Sequence, residues 1–122
     1  MAWDASFGEW VRDHLSGLGD FEIKTMFGGA GALKGGAMFA ILGDDVIWLK
    51  ADAAMAAEME AEGSRQFSMD SKTGRRTLPY WSMPEAALDD PDEAVRWAQR
   101  SVEIALRPKR RSSQDRARPA AS

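Results

Sequence analysis

Cysteine is absent from this chain, and histidine occurs once, at His14. The first absence excludes disulfides, thiol nucleophiles and thiolate metal ligands. With one imidazole and no thiolate, a structural zinc site lacks its usual ligands, so neither a metal nor a cofactor is expected. No apolar run approaches the length of a membrane span. The opening Met1-Ala2-Trp3-Asp4-Ala5-Ser6-Phe7 also lacks the basic and then apolar order of a secretory signal. The expected location is therefore the cytoplasm, with no membrane partner.

What is present suits one folded domain. The chain has 122 residues, 44% of them apolar and 29% charged, a balance that lets a core form and argues against disorder throughout. Its net charge of −3 conceals a split. The segment 107–122 carries Arg107, Lys109, Arg110, Arg111, Arg116 and Arg118 against Asp115 alone. That makes the segment +5 and leaves −8 for residues 1–106. The expected organisation is a domain over 1–106 and a disordered basic tail over 107–122, since the tail has no apolar periodicity to offset the entropy of ordering.

Along the domain, Trp3, Phe7, Trp10, Val11, His14 or Leu15, and Leu18 recur at helical spacing, and Gly17 and Gly19 supply stop signals. Short apolar runs follow. Gly35-Gly36 separates residues 32–34 from 37–42, and Gly43-Asp44-Asp45 separates those from 46–50, which predicts a three-stranded antiparallel meander. Residues 23–27 form a short extended lead-in. Asp52 caps a second helix over 53–62, which Gly63 stops. Two strands, 65–70 and 75–81, flank the turn Ser71-Lys72-Thr73-Gly74, and Pro79 places the second at an edge or ends it early. Asp90-Pro91-Asp92-Glu93 opens the last helix, with Val95, Ala98, Val102, Ala105 and Leu106 as its buried stripe. The order is α-β(3)-α-β(2)-α, a two-layer α+β fold with a five-stranded antiparallel sheet.

Several short motifs occur in one order. They are Met26-Phe27-Gly28-Gly29, then Met38-Phe39-Ala40, then Leu49-Lys50-Ala51-Asp52, then Tyr80-Trp81-Ser82-Met83-Pro84-Glu85. Together with Leu88-Asp89-Asp90-Pro91 they make the chain resemble the TfoX (Sxy) N-terminal domain family. The resemblance singles out Met26, Phe27, Gly28, Gly29, Met38, Phe39, Leu49, Lys50, Tyr80, Trp81 and Pro84 as family-motif residues. It implies a secretion-chaperone-like fold and a competence or transcription regulator, here as a stand-alone domain. Family members that activate competence carry a further C-terminal domain of DNA-binding character, in whose place this chain is expected to have only its basic tail.

No catalytic constellation is legible. The glycines 28, 29, 31, 35 and 36 match neither a phosphate loop nor a dinucleotide fingerprint, and turns or close backbone packing explain them. His14 beside Asp13 is expected at a helix surface or boundary, because adjacent residues on a helix do not face each other. Ser64, Ser68 and Ser82 stand in no nucleophile elbow. Asp89, Asp90, Asp92 and Glu93 lack the glycine-centred loop of a calcium site, and Met55, Met59 and Met69 read as core filling rather than as an adaptable binding surface. The expected function is a non-catalytic regulatory or protein-interaction domain with an unknown protein partner. Strand edges and the tryptophans at 3, 10, 48, 81 and 97 also allow a homodimer. The alternative is an accessory nucleic-acid binder whose contacts come from Arg107, Lys109, Arg110 and Arg111.

Overall fold

The computed structural model describes residues 3–26 and 28–108. Its first helix, α1 (Ala5–His14), starts where the Asp4 carboxylate accepts from the Ser6 N–H at 2.9 Å. Four strands follow in a meander: β1 (Glu22–Met26), β2 (Gly29–Lys34), β3 (Ala37–Gly43) and β4 (Val46–Lys50). Then come α2 (Ala53–Ala61), the hairpin β5 (Gln66–Ser71) and β6 (Gly74–Ser82), the single turn α3 (Glu85–Leu88), and α4 (Pro91–Ala105). All strands pair antiparallel in one sheet of order β1-β2-β3-β4-β6-β5. The α+β class is as expected, and the sheet has six strands rather than five.

The additional strand arises because β2 begins at Gly29, earlier than its apolar residues suggest. Gly29, Ala30 and Gly31 then pair with Met26, Thr25 and Lys24, which makes the lead-in a full edge strand. The turns behave as their residues dictate. Gly35 and Gly36 both have positive φ, +63° and +82°, as a primed two-residue turn requires. Asp44 and Asp45 fill the equivalent positions between β3 and β4 at φ +53° and +61°, which aspartate tolerates better than most side chains.

Pro79 does not put β6 at an edge; β6 lies between β4 and β5. On one side the Pro79 carbonyl accepts from the Ala51 N–H at 3.0 Å, a bond that needs no proline donor. On the other, the β5 register shifts between Gln66 and Ser68, and Phe67 faces the segment that holds Pro79. The missing N–H thus falls at a bulge, where an interior strand tolerates it.

The helices cover one face of the sheet, with Phe39, Leu42, Ile47 and Leu49 beneath Val11, Leu15, Met55, Met59 and Val102. The stripe of α4 is turned from the expected one: Ala94, Trp97, Ala98, Ser101 and Val102 are buried, while Leu106 is exposed. Small Ala94 and Ser101 carry little apolar signal, yet they let the helix approach β3 and β4 closely. His14 is buried rather than at the surface. Its Nε2 lies 2.7 Å from the Ala87 carbonyl oxygen, joining α1 to α3, and its ring stacks on Trp10. No helix among the described residues is long and apolar enough to cross a membrane.

Asp52 performs two tasks at the start of α2. Its Oδ1 accepts from the Met55 N–H at 2.9 Å, and its Oδ2 accepts from Arg107 Nη1 at 2.8 Å. The backbone N–H first, and Arg107 second, hold this carboxyl below the usual carboxylate range. A depressed folded pKa adds stability above the unfolded value of about 3.9, and that stability is lost as pH falls toward the folded value. We predict that Asp52→Ala lowers stability at neutral pH by about 1 kcal/mol. The gap to the parent should narrow below about pH 4, measured by urea unfolding across pH.

Candidate functional site

Because the helices occupy one side of the sheet, the other side must satisfy its own surface. A second apolar cluster lies there, made only of strand residues: Trp48, Phe67 and Tyr80 are buried, and Met38, Ile41, Val46 and Leu78 pack on them partly exposed. Trp48 meets Phe67 edge to face at 5.0 Å. Burial pushes the Tyr80 phenol pKa up.

A bulge in β3 makes both faces apolar. Ala32 pairs with Ala40 and Leu33 with Met38, so Phe39 is an additional residue opposite β2. Phe39 turns to the helices, while Met38 and Ile41 stay on the open face. Gly31 on β2 completes the floor. A Cβ there would come within 2.5 Å of Met38 Sδ and 2.9 Å of Met26 Cε, so glycine lets both thioethers lie flat against the strand.

Between this floor and the curled β5–β6 hairpin runs a groove of about 770 Å³. It is lined by Met26, Met38, Ile41, Trp48, Phe67, Met69 and Leu78, with Ser68 and Asp44 as polar members. Met69 is 44% exposed, a large value for so apolar a side chain. Flexible, polarisable thioethers beside rigid aromatic rings make a surface that adapts to another apolar surface. Such a groove can bind; it holds no group placed for chemistry.

A second cleft, of about 350 Å³, lies where α2 runs into β5 and β6 runs into α3. It holds Ser64, Arg65, Ser82, Glu62 and Glu85. Ser82 Oγ accepts from the Arg65 N–H at 3.0 Å, and Ser64 Oγ is buried without a hydrogen-bond partner. Neither serine has an adjacent base to activate it. The imidazole of His14 is held at Ala87 instead. Among the described residues no group of three or more His, Asp or Glu could hold a metal ion.

A sequence model of the TfoX N-terminal domain matches residues 13–105. The chain belongs to this family. It is also 28% identical over 86 residues to the DNA transformation protein TfoX1 of Aliivibrio fischeri, an alignment covering 70% of this chain. The chain spans about two fifths of that relative's length, 41%.

The structure divides the TfoX motif residues between two tasks. Met26 and Met38 line the groove, Tyr80 packs in the cluster beside it, and Lys50 stands on the same face opposite Tyr80. Phe39 and Leu49 lie in the helix-side core, and Trp81 packs against that core. Gly28 has φ +80°, Gly29 starts β2, and buried Pro84 is the N-cap of α3. Phe27, Lys109, Arg110 and Arg111 lie outside the described residues. Arg107 pairs with Asp52. Of the tryptophans, Trp48 and Trp97 are buried, Trp3 and Trp81 are half-buried, and Trp10 is 40% exposed.

Sequence reasoning missed Ile41, Phe67 and Leu78 as surface-forming residues and Trp48 as their centre. The signal was present in Val46-Ile47-Trp48-Leu49 and Met38-Phe39-Ala40-Ile41-Leu42. Unbroken apolar runs in antiparallel strands mean that both faces are covered, whereas a sheet with one wet face alternates.

Proposed function

We propose that this TfoX N-terminal domain is a non-catalytic interaction domain that exerts a regulatory role by binding protein through the open face of its sheet. The supporting observation is the groove: strand residues that would ordinarily be polar are apolar and partly exposed, on the side without helices. Contiguous exposed apolar surface of this kind marks interaction sites in soluble proteins. The serines without a base give a hydrolytic reading nothing to start from.

The test is site-specific photo-crosslinking in host cells from position 69, where the side chain points into the groove and is exposed. We expect discrete protein adducts that disappear in the Ile41→Asp variant and are weakened in the milder Ile41→Ala, both with unchanged far-ultraviolet circular dichroism. Absence of adducts from position 69, or adducts indifferent to both Ile41 variants, would overturn the reading.

A further inference from the structure

Resting on that interaction reading, we infer that the groove docks an acidic amphipathic helix of a different protein. The argument begins with the charges on the open face. Strand parity places Arg76 beside Leu78 and opposite Met69, Lys50 beside Trp48 and opposite Tyr80, and the Arg65 guanidinium 5.1 Å over the Trp48 ring. The apolar floor is thus bracketed by cations, Arg65 at one end of the β5–β6 hairpin and Arg76 toward the other. Among the described residues none of these three takes part in an ion pair. Elsewhere Arg96 pairs with Glu93, Arg100 with Glu58 and Arg107 with Asp52, while Arg12 donates to the Phe21 carbonyl and Arg75 to Ser68 Oγ. Of the carboxylates near this face, Glu22 is 3.8 Å from Lys24, Asp44 lines the groove, and Asp45, Glu62 and Glu85 line the neighbouring cleft with Arg65 but stand outside ion-pair distance of it.

Three cations outside any ion pair among the described residues, set around an apolar floor, are complementary to a segment carrying apolar anchors and carboxylates. The backbone groups of the central strands β3, β4 and β6 are already bonded within the sheet, so an added strand has no ladder to join on the groove floor, and among the described strands only the outer edges of β1 and β5 are free. Anchoring must come from side chains on one face of the partner, which is what an amphipathic helix presents.

Two other occupants fit less well. The segment 109–122 is basic and has nothing larger than alanine and proline as an apolar group. A second copy meeting this one face to face would bring the same three cations, Lys50, Arg65 and Arg76, to the contact from both sides, a like-charge surface against itself.

The experiment uses the full chain and two fluorescent peptides of about four helical turns, each with leucine at i, i+3, i+4 and i+7 spacing. One carries glutamate at the remaining positions and the other lysine. By anisotropy at low salt the glutamate peptide should bind at least about tenfold more tightly than the lysine peptide, and its affinity should fall as salt rises. Arg65→Glu/Arg76→Glu should remove that preference, and Ile41→Asp should weaken the glutamate peptide by about tenfold or more. Because Arg65 covers Trp48, Arg76→Glu/Lys50→Glu serves as a second variant, and each variant's thermal midpoint is measured alongside.

Equal affinity for both peptides would overturn the inference. So would a preference that survives both charge reversals, since it would then belong to the basic segment 107–122. A dimer in sedimentation that Ile41→Asp dissolves would assign the groove to a second copy and overturn it as well. Adducts from position 69 without any glutamate preference would refute the acidic helix and leave the interaction face standing. Loss of those adducts would remove the face itself.

Discussion

Replacing Phe39 with alanine should lower the unfolding free energy by about 3–5 kcal/mol, a large share of the roughly 5–15 kcal/mol available to a domain of this size. Phe39 is fully buried, and its ring meets Phe21 edge to face at 5.8 Å. The residue sits at the β3 bulge, whose extra position turns the ring under the helices. Truncation removes apolar burial and leaves a cavity that a sheet face cannot collapse to fill. Urea unfolding should show a lower midpoint with an unchanged slope, the sign that stability rather than denatured-state compactness has changed. Phe39→Leu, which keeps most of the volume, should cost clearly less. Met38→Ala should be milder than Phe39→Ala, because Met38 lies half-exposed on the other face. A loss below about 1 kcal/mol for Phe39→Ala would mean that this ring does not fill the core. Adjacent residues of one short motif would then have to be reassigned together.

The legible parts of this fold are those that one or two residues decide. Asp52 and Asp90 cap their helices through side-chain oxygens, Pro91 occupies the first turn, and the paired glycines at 35 and 36 form their turn. Each is local chemistry, and each was read correctly from spacing alone. Partnerships across the sheet were harder. Nothing local says that Gly29 and Gly31, which have no side chains to signal a strand, give β1 its ladder. Nothing local says that the residue lacking an amide proton, Pro79, will coincide with a bulge. The groove was hidden for a related reason. Its members come from all six strands, and the glycine that lets Met26 and Met38 lie flat is indistinguishable in sequence from a turn glycine. Nothing local tells which side of the sheet Arg65 and Arg76 face; strand pairing and the Trp48 ring place them on the apolar side.

Met59→Ala tests how α2 is held, and its expected cost is about 2–5 kcal/mol. The helix is nearly all alanine and glutamate, and only Met55 and Met59 are fully buried. Its ionic ties are the bidentate Arg100–Glu58 pair, at 2.9 and 2.7 Å, and the Arg107–Asp52 pair. Arg100 lowers the Glu58 pKa, but the carboxylate is largely exposed, and solvent screening leaves such pairs weakly stabilising. Glu58→Gln should therefore cost little where Met59→Ala costs much. The loss should also be local as well as global: amide exchange over α2 should accelerate more than exchange over β3 and β4, because the helix depends on two side chains and the central strands on many. The consequence reaches the open face. The Met59 carbonyl accepts from the Ser64 N–H at 3.0 Å, and the Arg65 N–H donates to Ser82 Oγ. The end of α2 thereby fixes where Arg65 enters β5 and lies over Trp48. If α2 exchanges no faster in Met59→Ala while the global midpoint falls, the methionine supports the sheet and not the helix. If α2 alone loosens, the two thioethers are what hold the helix, and with it one end of the cationic rim, in place.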